Sequence, residues 1–201
     1  MYFFKLLFNP DYFPLGSDIY ECRPIDENIF YKKFKKDKKN NFLKTILILD
    51  KLKDYNFTPN IINYNKNTLE LYTTNCGNLL KIKNLPNDWE IQLLNIKNYL
   101  LNHNILIKDW GLWEINPFIF NNLTLKDDTI HFIDMGDAIE SNKFEIDFYF
   151  NKKIKAIKLI LKFGYFYLIF HYLNRIRIEI IRLHPILKLI LFLYLILKYT
   201  K

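Results

Sequence analysis

The stretch Asn104–Ala138, NILIKDWGLWEINPFIFNNLTLKDDTIHFIDMGDA, decides the fold. An apolar lead-in delivers Asp109, a turn follows, and Asn116 opens a second apolar run. Lys126-Asp127-Asp128 is a polar hairpin turn, and His131-Phe132-Ile133 then runs into Asp134-Met135-Gly136. An acid, an amide and a second acid therefore arrive at the ends of successive short strand-like pieces. Folded compactly, these pieces gather hard oxygen ligands in one cleft, the donor set that Mg²⁺ carrying a nucleoside triphosphate requires.

The stretch resembles the catalytic core of the protein-kinase-like superfamily. In that family an HxD loop carries Asp and Asn, a hairpin follows, and the next strand ends in Asp-Phe-Gly. Ile133-Asp134-Met135-Gly136 matches the last part, and Gly136-Asp137-Ala138 resembles the small, atypical members. The resemblance implies ATP and Mg²⁺ as ligands. Asp134 would bridge the ion to the phosphates, and Asn116 would hold it from the other side. The loop itself departs from the family spacing. Counting back from Asn116 places Gly111 at the base position, with Asp109 where the histidine stands; counting from Asp109 requires two extra residues before Asn116. With Asp109 as a shifted base the loop is elongated and phosphoryl transfer is retained. With Gly111 there, nothing orients the nucleophile and the chain is a pseudokinase. The aromatic setting of Trp110, Trp113, Pro117 and Phe118 favours Asp109 but also suits a structural loop.

Upstream, Leu15-Gly16-Ser17-Asp18-Ile19-Tyr20-Glu21-Cys22 resembles the hairpin that covers the ATP phosphates in that family. Gly16 takes the first glycine place, and Asp18 and Glu21 replace the second and third, where acids repel phosphate. Asn28–Phe34 is strand-like, and Lys32 best matches the phosphate-gripping lysine, with Lys33 next; the alternative is an ordinary basic strand edge. After a charged bridge over residues 35–41, Phe42–Leu52 has helical apolar spacing. The helix glutamate that pairs with the lysine in the family is replaced here by Lys44 or Thr45. Residues 61–64 and 68–72 alternate as two hairpin strands. Thr73-Thr74-Asn75-Cys76-Gly77 then resembles the interlobe hinge, with Asn75 and Cys76 beside the adenine, or forms a plain turn. From Leu85-Pro86, with Asn87 or Asp88 as cap, a helix runs to the loop.

The expected fold is α+β: a minimal two-lobed kinase-like fold with a small antiparallel N-lobe sheet over 1–74, a mainly helical C-lobe core over 75–150, and apolar, basic helices over 151–201. With half of its 201 residues hydrophobic, the chain has ample material for a core, which excludes bulk disorder. The net charge of +8 suits nucleotide, phospholipid or nucleic-acid partners, or reflects only a composition rich in Asn, Lys, Ile and Tyr. Cys22 and Cys76 form no ligand motif and are expected reduced.

No Ala-Pro-Glu-like motif follows Asp134, so a peptide-docking platform is not expected. The acceptor implied is a small molecule, sugar or lipid, and nucleic acid is not favoured as a partner. The C-terminus, with Arg175, Arg177 and Arg182 ahead of PILKLILFLYLILKY, reads three ways: buried helices, a helix at an anionic membrane surface, or an oligomer interface. The chain is thus expected to be a cytoplasmic ATP/Mg²⁺-dependent phosphotransferase, free or attached to a membrane. The alternatives are a pseudokinase module and a membrane-associated basic protein with only architectural likeness to kinases.

Overall fold

The computed structural model describes residues 18–110 and 119–164. Gly16, Gly111, Trp113, Asn116, Pro117, Phe118 and the segment from 165 onward lie outside the described residues. The chain divides into two compact units, 1–154 and 155–201. The architecture is α+β, with small antiparallel sheets.

The first sheet begins with the hairpin of β1 (Ile19–Pro24) and β2 (Ile29–Phe34). Its turn is an Asx turn, in which the Asp26 carboxylate accepts the N–H groups of Asn28 at 2.7 Å and Ile29 at 2.8 Å. A single 3₁₀ turn, Lys36–Lys38, then leads into α1 (Lys39–Lys51). The helix thus starts ahead of Phe42, inside the segment expected to be a bridge, because Lys39, Asn40 and Asn41 carry no apolar phase to read. Its buried face is Phe42, Thr45, Ile48 and Leu49, and Phe42 meets Phe34 edge-on at 5.4 Å. Strands β3 (Ile61–Asn65) and β4 (Glu70–Thr74) form the expected hairpin. Sheet order is β1-β2-β4-β3, and Cys22 lies opposite Lys32 across β1 and β2.

Gly77 turns the chain with φ +82° into β5 (Asn78–Lys81), a strand too short for its pattern to announce itself. In α2 (Trp89–His103) the buried face is Leu93, Ile96 and Leu100. Asp88 precedes its first turn but makes no side-chain cap; its carboxylate instead accepts from Gln92 Nε2 at 2.9 Å. Asn104 ends the helix in the left-handed region at φ 54°. Next come β6 (Ile105–Leu106), β7 (Ile119–Lys126), β8 (Thr129–Phe132) and β9 (Ile139–Glu140). Asp127 and Asp128, at φ 50° and 57°, make the tight turn between β7 and β8. One sheet is β5-β7-β8, and β6 pairs with β9, so the chain on either side of the Asp109 loop and of Asp134 is tied together.

Beneath these strands, the Trp110 ring meets Phe132 at 5.3 Å and Phe150 at 4.8 Å, all three fully buried. Phe150 lies on α3 (Lys143–Phe163), where Asn142 Oδ1 accepts the Glu145 N–H at 2.9 Å in the first turn. The helix closes at Gly164, whose N–H donates to the Ile160 carbonyl at 2.7 Å. Among the described residues no helix is long and apolar enough to cross a membrane.

Candidate functional site

Strand β2 alternates, so Lys32 leaves the face opposite Tyr31 and reaches toward the end of β8. Its Nζ donates to the Ile133 carbonyl at 2.6 Å. This bond spans a hundred residues of sequence and sets an ammonium group beside the residue preceding Asp134. Cys22, across the strand pair, senses the same surroundings. Burial pushes its thiol up, the Lys32 ammonium opposes that, and the Asp134 and Glu21 carboxylates add to it.

Lys32, Asn75, Cys76, Gly77, Thr124 and Ile133 line a cleft of about 20 Å³. Sequence reading places Lys32, Asn75 and Cys76 at one ligand, and the fold does bring the three together. Asn75, however, is spent on the turn. Its N–H donates to Asn28 O at 2.7 Å, and its Nδ2 to Asp26 O at 3.1 Å. Its Oδ1 accepts from Gly77 N at 3.1 Å, and its carbonyl accepts from Lys126 Nζ at 3.0 Å. The amide is therefore held by the turn at the cleft wall. Cys76 is buried and its thiol is pushed up by that burial. Thr124, on β7, has a buried hydroxyl without a hydrogen-bond partner among the described residues. An unmet polar group in a cleft wall is a place for a water or a ligand atom.

The acids converge on the next segment. Asp134 Oδ1 accepts the Gly136 N–H at 3.0 Å, which fixes the carboxylate over the tight Asp134-Met135-Gly136 bend. Asp137 is pushed above the usual carboxylate range, first by partial burial and then by the charges of Asp134, Asp109 and Asp18, with Lys44 opposing. Asp18 is held by the Asn41 amide and by the Lys38 ammonium at 3.2 Å. Its Oδ2 lies 4.0 Å from where a Cβ on Gly136 would sit. Asn122 on β7, unremarked in the sequence, joins the two halves. Its carbonyl accepts the Ile133 N–H at 3.0 Å, and its Nδ2 donates to the Asp109 carbonyl at 3.3 Å.

Lys32, Asp109 and Asp134 thus come from three separate segments into one neighbourhood. On α1, Thr45 is buried with its hydroxyl donating to Asn41 O at 2.8 Å, and Lys44 lies near Asp137, so neither of these two positions offers Lys32 a carboxylate. Among the described residues no three His, Cys, Asp or Glu side chains are grouped to hold a metal ion. A cation among these acids would therefore take further oxygens from outside that set. Gly16 and Asn116, expected at the phosphates and the ion, lie outside the described residues. No protein-family model and no curated protein matches the chain.

Proposed function

We propose that the chain binds a magnesium nucleoside triphosphate at the cleft between β2 and Ile133–Asp134 and transfers its terminal phosphoryl group to a non-protein hydroxyl. The observation that carries this reading is the placement of Lys32. Its ammonium is tethered 2.6 Å from the Ile133 carbonyl, beside Asp134, in the cleft that Asn75 and Cys76 also line. One cation, one carboxylate and a polar turn around a slot are what phosphate, ion and base need in turn. Donor chemistry fits such a ligand. Lys32 would neutralise phosphate oxygens, Asp134 would hold the ion, and the Thr124 hydroxyl would gain a partner. Mg²⁺, when bound, supplies charge neutralisation on the phosphates.

Asp109 would take the proton from the acceptor hydroxyl as that oxygen bonds to phosphorus and the bond to the diphosphate breaks. The Asn122 amide steadies the loop from which Asp109 acts. A volume of about 20 Å³ holds about one water. A nucleotide base would therefore need the cleft to widen. The proposal puts the chain in the cytoplasm, with its arginine-bearing, apolar C-terminal sequence against an anionic membrane surface.

A second reading, nucleotide binding without transfer, is favoured by one feature. Lys32 takes a main-chain carbonyl as its partner, and α1 offers lysine and threonine in place of a carboxylate. Two measurements separate the readings. Thermal shift and titration calorimetry with ATP, with and without Mg²⁺, test binding, and Lys32→Ala and Asp134→Asn should each abolish it. Phosphate release from ATP tests transfer. Asp109→Asn should lower turnover about 10²–10⁴-fold while leaving binding intact. Absence of any ATP-dependent shift would sink both readings.

A further inference from the structure

A second concavity lies away from the cleft, on the outer end of the first sheet. It has a volume of about 800 Å³, within the range of small-molecule sites. Its lining includes Lys33, Lys35, Lys36, Lys39 and Lys66, with Tyr20 and Thr68, and no acid. These lysines come from the end of β2, the 3₁₀ turn, the start of α1 and the β3–β4 turn, so the fold collects them from separate places.

Self-repulsion among them is a cost in the free protein, offset at Lys33 by the Glu70 carboxylate at 3.0 Å. Lys39 opens α1, whose first turn carries no acid, so the positive helix end adds to that cost instead of offsetting it. Glu70 stands behind the wall. It is held below the usual carboxylate range by hydrogen bonds from Lys33 and Thr68, and it steadies both lining residues, with Lys33 Nζ at 3.0 Å.

We infer that this basin binds a small, multiply phosphorylated ring, such as an inositol polyphosphate, either free or as the headgroup of a membrane lipid. Lysines are point charges that suit phosphates spread around a compact ring, whereas planar bidentate recognition would call for arginine. A single-stranded nucleic acid would need a row of stacking platforms. Of the two aromatic rings among the described lining residues, Tyr20 is exposed and Phe34 is buried. The inference does not depend on the nucleotide reading, since none of the cleft residues lines this basin.

The test uses the full chain and inositol hexakisphosphate in titration calorimetry, with inorganic phosphate as the weak comparison. Sedimentation with vesicles containing phosphatidylinositol bisphosphate, against vesicles of phosphatidylserine at equal charge, separates the lipid source from the free one. Combined reversal of Lys36→Glu, Lys39→Glu and Lys66→Glu should weaken binding about tenfold or more. The same charge change at exposed Lys83→Glu, Lys143→Glu and Lys152→Glu should leave it within about twofold, and Lys32→Ala should leave it unchanged. Circular dichroism on both triple variants separates lost binding from lost folding. Equal weakening by the two triple variants would reduce the basin to nonspecific charge and overturn the proposal. So would loss of binding in Lys32→Ala, or tighter capture of single-stranded RNA by the same lysines.

Discussion

Gly77→Ala probes the turn on which the cleft is built. At φ +82° an L-residue is strained, at about 1–2 kcal/mol. A Cβ there would also lie 2.2 Å from the Leu125 carbonyl oxygen and 2.9 Å from Lys126 Cβ. Those are backbone and near-backbone atoms, so relief comes only by moving β5 from β7 where Asn78 faces Leu125. That movement weakens one or two hydrogen bonds, including Lys126 Nζ to Asn75 O, at about 1 kcal/mol each. The sum is roughly 2–4 kcal/mol, or a Tm lower by roughly 5–15 °C for a chain of this size. Gly164→Ala is the matched control. Its φ is +50°, and nothing lies within 4 Å of an added Cβ, so only the dihedral cost of about 1 kcal/mol remains. Urea denaturation of both variants gives the difference directly. Equal costs for the two substitutions would refute the close approach of Gly77 to β7.

Three further outcomes are expected. Trp110→Ala should cost about 3–5 kcal/mol in urea denaturation, since a fully buried ring between Phe132 and Phe150 is removed. Asp137→Asn should stabilise the chain at neutral pH. The raised acid favours its protonated form in the fold, so wild-type stability from this group is present below the ordinary carboxylate value of 3.8 and lost as pH rises through the folded value. The gain should therefore shrink to nothing on acidification, and a gain independent of pH would contradict the acid cluster. Asn122→Ala should cost about 1 kcal/mol and lower turnover with nucleotide affinity kept, because the bond to the Asp109 loop is lost while Lys32 and Asp134 stay in place.

Two of the hairpins were legible because they rest on local chemistry. Asn65-Lys66-Asn67 between alternating runs announced the β3–β4 hairpin, and Asp127-Asp128 announced the tight turn before β8. The start of α1 was not legible, since lysines and asparagines carry no apolar phase. Nor was β5, whose four residues follow directly on the Gly77 bend. In the site, the resemblance named Lys32 for phosphate and Asp134 for the ion, and the fold sets the Lys32 ammonium on the carbonyl of Ile133, the residue before Asp134. Asn122 was missed because an amide on a strand reads as an outward-facing polar residue. Its role depends on a loop that is distant in the pattern and adjacent only after β6 pairs with β9. Asp18 was legible only as an acid in the phosphate-covering hairpin; its nearness to Gly136 depends on the folded sheet and leaves no local signal. Asn75, read as a hinge residue beside the ligand or as part of a plain turn, lines the cleft and forms the turn, its polar groups being taken by Asn28, Asp26, Gly77 and Lys126.

The most direct test of a phosphate-and-ion site at Lys32 and Asp134 is calorimetric titration of the full chain with a non-hydrolysable ATP analogue in Mg²⁺ and in EDTA. Binding should require Mg²⁺, disappear in Asp134→Asn and in Lys32→Ala, and persist in Asp109→Asn. Binding that is indifferent to Mg²⁺ and to both substitutions would contradict it.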